Sequence, residues 1–425
     1  MQFQVSSKSV MEKKTGLVDK IFIMLFFLHN LRFFNFEPYM KFWGSYSIVI
    51  DTILCFFFFI FFIRSYKIHS SPPLRAVFLM YLLFVFCLFN PTLQETQSLY
   101  YSLRGLSFTF LNFGFFYYLK YREIQTSFLF RLCWILLFLF IIVLIISYAM
   151  YPNQPFGYRP SLDADAAKYR LESDLEKRGT LRFNFLGGDL IALALFFVLS
   201  NFRKIKYGSL AVFALLILTL IRGTRGPIVS TVIVGIVSYI FTKKNKIKNL
   251  IVILIVISIT FFLLNKIPFT QNIINSLQET TQTEFDVSGV ENVRLLSLKY
   301  FALDFNQNNI IPIIFGNGYP MRGKYADIIF AANEMGLHQD DIEYLLWYVY
   351  FGIIGIIIFF YWVYTFLSIK VNTKFLCFKY FILYIIICML LGSHFFRQIP
   401  LMAVISYILY ADNLKYKIIY AGDRK

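Results

Sequence analysis

Charged residues are scarce in this chain of 425 residues, since Asp, Glu, Lys and Arg together make up 15% of it. Soluble globular domains carry about 25%, so the deficit excludes a water-soluble enzyme. Histidine is also rare: the four residues are scattered, without a His-Glu-x-x-His motif. The five cysteines lie inside apolar runs without Cys-x-x-Cys spacing and are interpreted as small hydrophobic residues. Neither a disulfide framework, nor a metal site, nor a cofactor is predicted.

Apolar residues dominate what is present. They make up 58% of the chain, with 52 Phe, and the formal net charge is +17. Nucleic-acid-binding surfaces gather basic residues on one face, whereas here the basic residues lie between apolar runs. The positive charge is therefore assigned to an anionic membrane surface.

The apolar runs predict an all-α, polytopic integral membrane protein with about twelve transmembrane helices, because a bilayer core about 30 Å thick needs roughly 20 apolar residues per helix. The predicted spans are 20–36, 43–63, 74–90, 98–118, 131–150, 184–202, 206–222, 226–241, 248–265, 345–369, 379–393 and 397–411. The first is the weakest, because polar residues interrupt it. No cleavable signal peptide is expected before it.

The basic residues orient these spans. Clusters of Lys and Arg fall in alternate connections, starting at the N-terminus and ending in the C-terminal tail, whereas the intervening short connection 90–97 has none. By the positive-inside rule, both termini are predicted to be cytoplasmic.

Two long polar connections fall on the opposite side. The predicted organisation is 1–265 with spans one to nine and an outer loop at 151–182, a large extracytoplasmic loop domain at 266–344, spans ten to twelve at 345–411, and a cytoplasmic tail at 412–425. Helix-like stretches such as 290–305 favour a folded cap at 266–344 over a linker. No internal repeat is evident, which weakens a secondary-transporter interpretation.

The sharpest polar feature is segment 220–227, which reads Leu-Ile-Arg-Gly-Thr-Arg-Gly-Pro between two short spans. Its tight turn would hold Arg222 and Arg225 at the extracytoplasmic membrane face. Guanidinium groups match phosphate oxygens and stay charged, so an anion site is predicted. The alternative is a pair of arginines that snorkel to the interface.

His338 stands just before the tenth span, next to Asp340 and Asp341, which would cap that helix or orient the imidazole. A neutral His near a carboxylate is the usual arrangement of a general base. The alternative is that His338 only packs in its loop.

Further candidates are isolated ionisable groups near span ends. Arg294 would bind an anion or pair with Glu291 in the same helix. A headgroup pocket could be lined by Arg104, Asp189 and Arg397. Asp51, nearer mid-span, is left open between a proton relay and a partner for an arginine, and His29 is interpreted as a satisfied bundle residue.

Several of these motifs together resemble the O-antigen ligase/polymerase superfamily. The motifs that carry the resemblance are Thr224–Gly226, Arg294, the Gly-x-Gly at Gly316 and Gly318, and His338 followed by a Gly-Ile-Ile-Gly span at 352–355. Their order and spacing match from about residue 180 to 395, roughly half the chain, whereas the earlier spans agree only in number and character. Two departures are Gln339, where Asn is common, and the additional Arg222.

The resemblance implies a GT-C-like membrane glycosyltransferase that moves glycan from undecaprenyl diphosphate to an acceptor and needs no metal. By position, Arg225 and Arg294, with Arg222 as an alternative, would grip the diphosphate and His338 would act as base. Gly316, Gly318, Asp340, Asp341, Arg104 and Arg397 would support the site.

The expected function is polymerisation of lipid-linked repeat units into O-antigen or a related surface polysaccharide, at the outer face of a bacterial cytoplasmic membrane. The expected partners are the undecaprenyl-diphosphate-linked donor and acceptor, membrane lipid and a chain-length regulator. The alternative within the family is ligation of finished O-antigen to lipid A–core. The alternative from another class is a lipid or polysaccharide transporter.

Overall fold

A computed structural model describes residues 15–31, 40–65, 71–104, 109–150, 186–221, 225–241, 293–339, 342–392 and 395–422, together with the single helical residues Ile251, Ile255 and Ser258. Throughout these ranges the ordered secondary structure is helical. The helices are α1 Leu17–Asn30, α2 Met40–Ser65, α3 Pro72–Leu93, α4 Leu99–Arg104, α5 Phe115–Tyr121, α6 Thr126–Ala149, α7 Asp189–Ser200, α8 Gly208–Ile221, α9 Arg225–Phe241, α10 Val293–Lys299, α11 Ile310–Phe315, α12 Lys324–Glu334, α13 Glu343–Ser368, α14 Leu376–Cys388 and α15 Ile399–Gly422.

Three of these helices are long and apolar enough to cross a membrane: α3 with 22 residues, α6 with 24 and α13 with 26. At 1.5 Å per residue they are roughly 33–39 Å long, which exceeds a hydrocarbon core of about 30 Å. Shorter apolar helices are Asp189–Ser200, Gly208–Ile221 and Gly226–Ile240. The all-helical fold class is thus confirmed for the described residues, and the count of twelve spans stays a prediction.

The fourth predicted span, 98–118, is wrong as a single helix. α4 ends at Arg104, a 3₁₀ turn covers Thr109–Gly114, and α5 follows it. Polar side chains explain the break, because the fully buried Asn112 donates to Asn30 Oδ1 at 3.0 Å. Gly114 has so little space that a Cβ there would lie 2.8 Å from the Tyr81 ring. Hydropathy alone predicts neither the Asn112 hydrogen bond nor the close packing at Gly114.

One end of the helix group is tied by a buried acid. Asp19 in α1 accepts two hydrogen bonds from the Arg122 guanidinium, both 2.9 Å long, and a third of 2.7 Å from the Tyr118 hydroxyl. A forked guanidinium–carboxylate pair fixes both distance and angle, so α1 is held against the end of α5.

Two of the long helices contain carbonyls without helical donors, and these carbonyls face the same loop. Pro91 lies inside α3 and has no N–H, which leaves the carbonyl of Cys87 without its helical donor. α13 is interrupted at Gly352, whose φ of 64° and ψ of −165° are not helical. That interruption leaves the carbonyls of Val349 and Tyr350 without helical donors as well.

Loop 316–319, here called the clamp loop, supplies the missing donors. Asn317 N–H donates to Val349 O at 2.7 Å, Gly318 N–H to Tyr350 O at 3.0 Å, and Tyr319 N–H to Cys87 O at 3.0 Å. Backbone that leaves a helix among apolar neighbours must be paired within the protein. The clamp loop therefore joins α3 and α13, so part of the predicted outer domain packs into the helix group.

Candidate functional site

A buried carboxylate at the start of α13 holds the beginning of the last helix. Glu343 is fully buried, and its side chain accepts hydrogen bonds of 2.8 Å from the backbone N–H groups of Phe395 and Phe396. Its own N–H donates to Met389 O at 2.9 Å. Since the N–H groups at a helix start favour negative charge, Glu343 caps α15 from a neighbouring helix and joins α13 to the turn that links α14 and α15.

A second buried carboxylate holds the same turn from the other side. Asp189, the first residue of α7, is 2% exposed. It accepts a 2.6 Å hydrogen bond from Tyr384 Oη and a 2.7 Å hydrogen bond from Gln398 Nε2. Asp189 therefore lies inside the protein, and does not line an open headgroup pocket as the sequence suggested.

The start of α9 lies against this turn. A Cβ added at Gly226 would lie 3.0 Å from Leu391 Cβ, so the two segments approach closely where residue 226 is glycine. The backbone of Arg225, the first residue of α9, is thereby placed beside the α14–α15 turn. The Arg225 side chain and all of Arg222 lie outside the described residues.

One hydrogen bond joins the segment of His338 to α10, the helix that carries Arg294. The N–H of the half-buried His338 donates to Ser297 Oγ at 3.1 Å. Ser297 is buried in α10, one turn after the exposed Arg294. Residues three apart on a helix are neighbours on its surface, so Arg294 lies one turn from the hydrogen bond that ties α10 to the His338 segment.

The residue after His338 connects this segment to the clamp loop. Gln339 is buried, and its Nε2 donates to Tyr350 Oη at 3.3 Å. The Tyr350 ring packs against Tyr319 at 5.4 Å between ring centroids, and Phe396 of the α14–α15 turn lies 6.4 Å away. Aromatic contacts thus connect the segment of His338, the clamp loop and the α14–α15 turn.

Gly316 and Gly318 have a packing role. Both have positive φ, 76° and 79°. A Cβ on Gly316 would lie 2.3 Å from Tyr350 O, and one on Gly318 would lie 2.3 Å from Pro91 Cδ. Asn90 supports the loop by donating to Gly316 O at 2.7 Å. The two glycines therefore support the site indirectly, by positioning the segment that leads towards His338.

The prediction that Asp340 or Asp341 caps α13 or orients the imidazole is not tested by the described residues. Ile342 occupies the N-cap of that helix and offers no side-chain hydrogen bond. Both aspartates lie outside the described residues. Glu343, one residue further on, carries the carboxylate that does cap a helix, although the helix is α15.

The two remaining arginine candidates belong to different segments. Arg397 is exposed in the 3₁₀ turn Phe396–Gln398, within the α14–α15 turn. Arg104 ends α4, and its side chain is not among the described ones. α4 is tied to the end of α3 by a 2.6 Å hydrogen bond between Ser102 and Thr92. Arg397 therefore shares the turn bound by Glu343 and Asp189, whereas Arg104 belongs to the α3–α4 corner.

The mid-span acid has a partner other than arginine. Asp51 Oδ1 lies 2.8 Å from His29 Nε2, and both side chains are largely buried. The contact gives the His29 ring a partner at Nε2 inside the helix group. The pair joins α1 to α2.

Two phenols belong to this region, because Tyr319 lies in the clamp loop and Tyr325 Oη donates to Gly318 O at 3.3 Å. Burial raises the pKa of the Tyr319 and Tyr325 phenols, so both remain neutral hydroxyl groups. Among the described residues, no His, Cys, Asp and Glu side chains form a group of three that could hold a metal ion. The polar contacts described around His338 are its backbone hydrogen bond to Ser297 and the Gln339 amide hydrogen bond to Tyr350.

Sequence inspection missed Glu343, Asp189 as an internal acceptor, and Gln339 as a link. Glu343 had a usable signal: a single acid at the head of an otherwise apolar run must be paired. Its partners are backbone N–H groups some fifty residues away, which carry no sequence signature.

No protein-family model, curated protein or solved structure matches this chain. The resemblance to the O-antigen ligase/polymerase superfamily thus rests on its sequence motifs alone.

Proposed function

We propose that this protein is a membrane glycosyltransferase that polymerises undecaprenyl-diphosphate-linked repeat units into O-antigen or a related surface polysaccharide. The observation that supports the proposal is a chain of contacts that links three of the predicted segments. The start of α9 with Arg225 lies against Leu391, α10 with Arg294 binds the backbone of His338 through Ser297, and Gln339 binds Tyr350 beside Phe396.

The reaction is an inverting displacement. The acceptor hydroxyl oxygen forms a bond to the anomeric carbon of the donor, and the bond from that carbon to the diphosphate oxygen breaks. Undecaprenyl diphosphate leaves with the electron pair, and the hydroxyl proton passes to the His338 imidazole. Arg225 and Arg294 stabilise the negative charge that develops on the leaving diphosphate.

The membrane arrangement belongs to the same proposal. Twelve spans with both termini in the cytoplasm put the α13 start, the α9 start and residues 293–339 on the extracytoplasmic side. The donor's polyprenyl tail then lies between apolar helices while its diphosphate reaches the arginines. Cysteine labelling from outside intact cells tests this, with Met335→Cys reactive and Tyr207→Cys protected. Both positions are well exposed in the protein itself.

The phenotype of a deletion separates polymerisation from ligation. Loss of a polymerase leaves a single repeat on lipid A–core, whereas loss of a ligase leaves none. We favour polymerisation because each glycan structure needs its own polymerase. In vitro extension of a purified lipid-linked repeat unit is the decisive assay.

A transporter is the second candidate, and one observation favours it. The His29–Asp51 contact is an ionisable pair between two apolar helices, as proton-coupled transport requires. A transporter moves lipid-linked glycan without changing its length. Purified protein in detergent, with no gradient present, would then form no polymer.

Changing Arg225 to lysine tests the forked contact with the diphosphate. Lysine keeps the charge but loses the planar set of donors, so Arg225→Lys and Arg225→Ala are both expected to lower kcat/KM at least about tenfold, or roughly 1.4 kcal/mol. The measurement is steady-state extension of the lipid-linked repeat unit.

The matched control is Arg131→Lys. Arg131 is an exposed residue near the start of α6. Arg131→Lys should leave kcat/KM unchanged. Full activity of Arg225→Lys would show that simple charge attraction is sufficient.

A further inference from the structure

Gln339 has an incomplete hydrogen-bond set in a buried place. Its side chain is 7% exposed, and Nε2 donates to Tyr350 Oη at 3.3 Å. Oε1 is buried and has no hydrogen-bond partner among the described residues. Rotating the amide by half a turn exchanges the two atoms but again leaves one of them unpaired. A buried polar atom without a partner destabilises the folded protein, because it has given up its hydrogen bonds to water.

Trp347 offers a useful contrast, because its indole Nε1 is also buried without a partner. Its ring lies among aromatic neighbours, with Phe351 at 4.8 Å and Phe396 at 5.3 Å between centroids. Ring faces can accept a weak N–H hydrogen bond. The Gln339 amide oxygen is an acceptor, which a ring face cannot satisfy, so it needs a donor from elsewhere.

We propose that Gln339 binds a hydroxyl group of the acceptor sugar, an assignment that rests on the proposed glycosyl transfer. The sugar hydroxyl donates to the amide oxygen, while Tyr350 holds the amide from its other end. Since Gln339 directly follows His338, the proposal assigns the bound hydroxyl to the acceptor sugar whose other hydroxyl reacts. Gln339 is then a positioning and specificity residue, since a site built to bond a hydroxyl discriminates strongly against analogues that lack it.

The test compares two buried glutamines. Gln97 has both amide ends paired, since Met321 N–H donates to its Oε1 at 2.7 Å and its Nε2 donates to Ser102 Oγ at 3.0 Å. Gln97→Met should therefore lower the thermal unfolding midpoint. Gln339→Met removes an unpaired atom and should leave the midpoint within about 2 °C of the parent protein.

The activity measurement uses lipid-linked glycan extracted from cells that lack this chain. Gln339→Met is expected to lower kcat/KM at least tenfold through a higher KM for the acceptor, and to lose the rise in unfolding midpoint that this glycan gives the parent protein. Tyr350→Phe, which frees the other end of the amide, should raise the same KM in a folded protein.

Three results overturn the assignment. A kcat/KM for Gln339→Met within twofold of the parent removes Gln339 from acceptor binding. A loss of stability equal to that of Gln97→Met makes Gln339 a structural residue. A parent protein that neither extends nor binds the extracted glycan refutes the proposed function and this assignment together. If the parent protein is active and only the Gln339 predictions fail, the assignment of Gln339 is refuted and the proposed function is not.

Discussion

Replacing His338 by alanine is expected to abolish polymer formation while the protein remains in the membrane. A general base contributes about 10²–10⁴-fold, and alanine offers no proton acceptor for the acceptor hydroxyl. The only described tie of residue 338 to α10 is a backbone N–H bond to Ser297 Oγ, which alanine retains. The loss should therefore appear in kcat and not in folding, measured as turnover of lipid-linked repeat unit.

Met335→Ala serves as the control, because Met335 is 66% exposed in the same connection and should tolerate the change. Cells carrying the His338 variant should show a single repeat on their surface glycan. Polysaccharide of undiminished chain length in that variant would remove His338 from the chemistry.

Gly352→Ala should unfold the protein or destabilise it by several kcal/mol. The residue has φ of 64°, and a Cβ there would lie 2.4 Å from Ile314 O and 2.5 Å from the backbone nitrogen of Gly316. Strained backbone costs about 1–3 kcal/mol, and overpacking typically adds about 1–3 kcal/mol. Both contacts are backbone atoms of α11 and the clamp loop, so neither can rotate away.

Gly336→Ala separates the effect of backbone strain from the effect of overpacking. Gly336 also has positive φ, 80°, but nothing lies within 4 Å of the added Cβ. Gly336→Ala should therefore lose only the stability that backbone strain costs, measured as a small drop in the unfolding midpoint. Equal midpoints for the two variants would mean that the close approach at Gly352 contributes nothing to stability.

Hydropathy predicted most helices because burial in lipid and burial in protein both require apolar side chains. The third predicted span, 74–90, lies within α3, and the tenth, 345–369, nearly coincides with α13. The method failed where a polar contact divides an apolar run, as at Asn112, whose partner Asn30 is far away in sequence. Nor could it reveal the break in α13, since Gly352 lies inside an uninterrupted apolar stretch.

The candidate residues were found from their chemistry, but their neighbours were not. An arginine or histidine among apolar residues is conspicuous in any sequence. The acceptor that orders His338 is Ser297, an ordinary residue in its helix, and the backbone groups that pair with Glu343 belong to phenylalanines. Such partners can be identified only from the tertiary structure, which packs distant helices together.

The apolar runs and scarce charges by themselves determined an all-helical protein with helices suited to a membrane, because the length and composition of a run decide that locally. Tertiary structure alone decided how the helices are joined. Pro91 and Gly352 each deprive carbonyls of their helical donors, and the clamp loop supplies those donors from a distant part of the chain. Backbone groups form hydrogen bonds whatever their side chains are, so no residue pattern predicts which carbonyls the clamp loop pairs with.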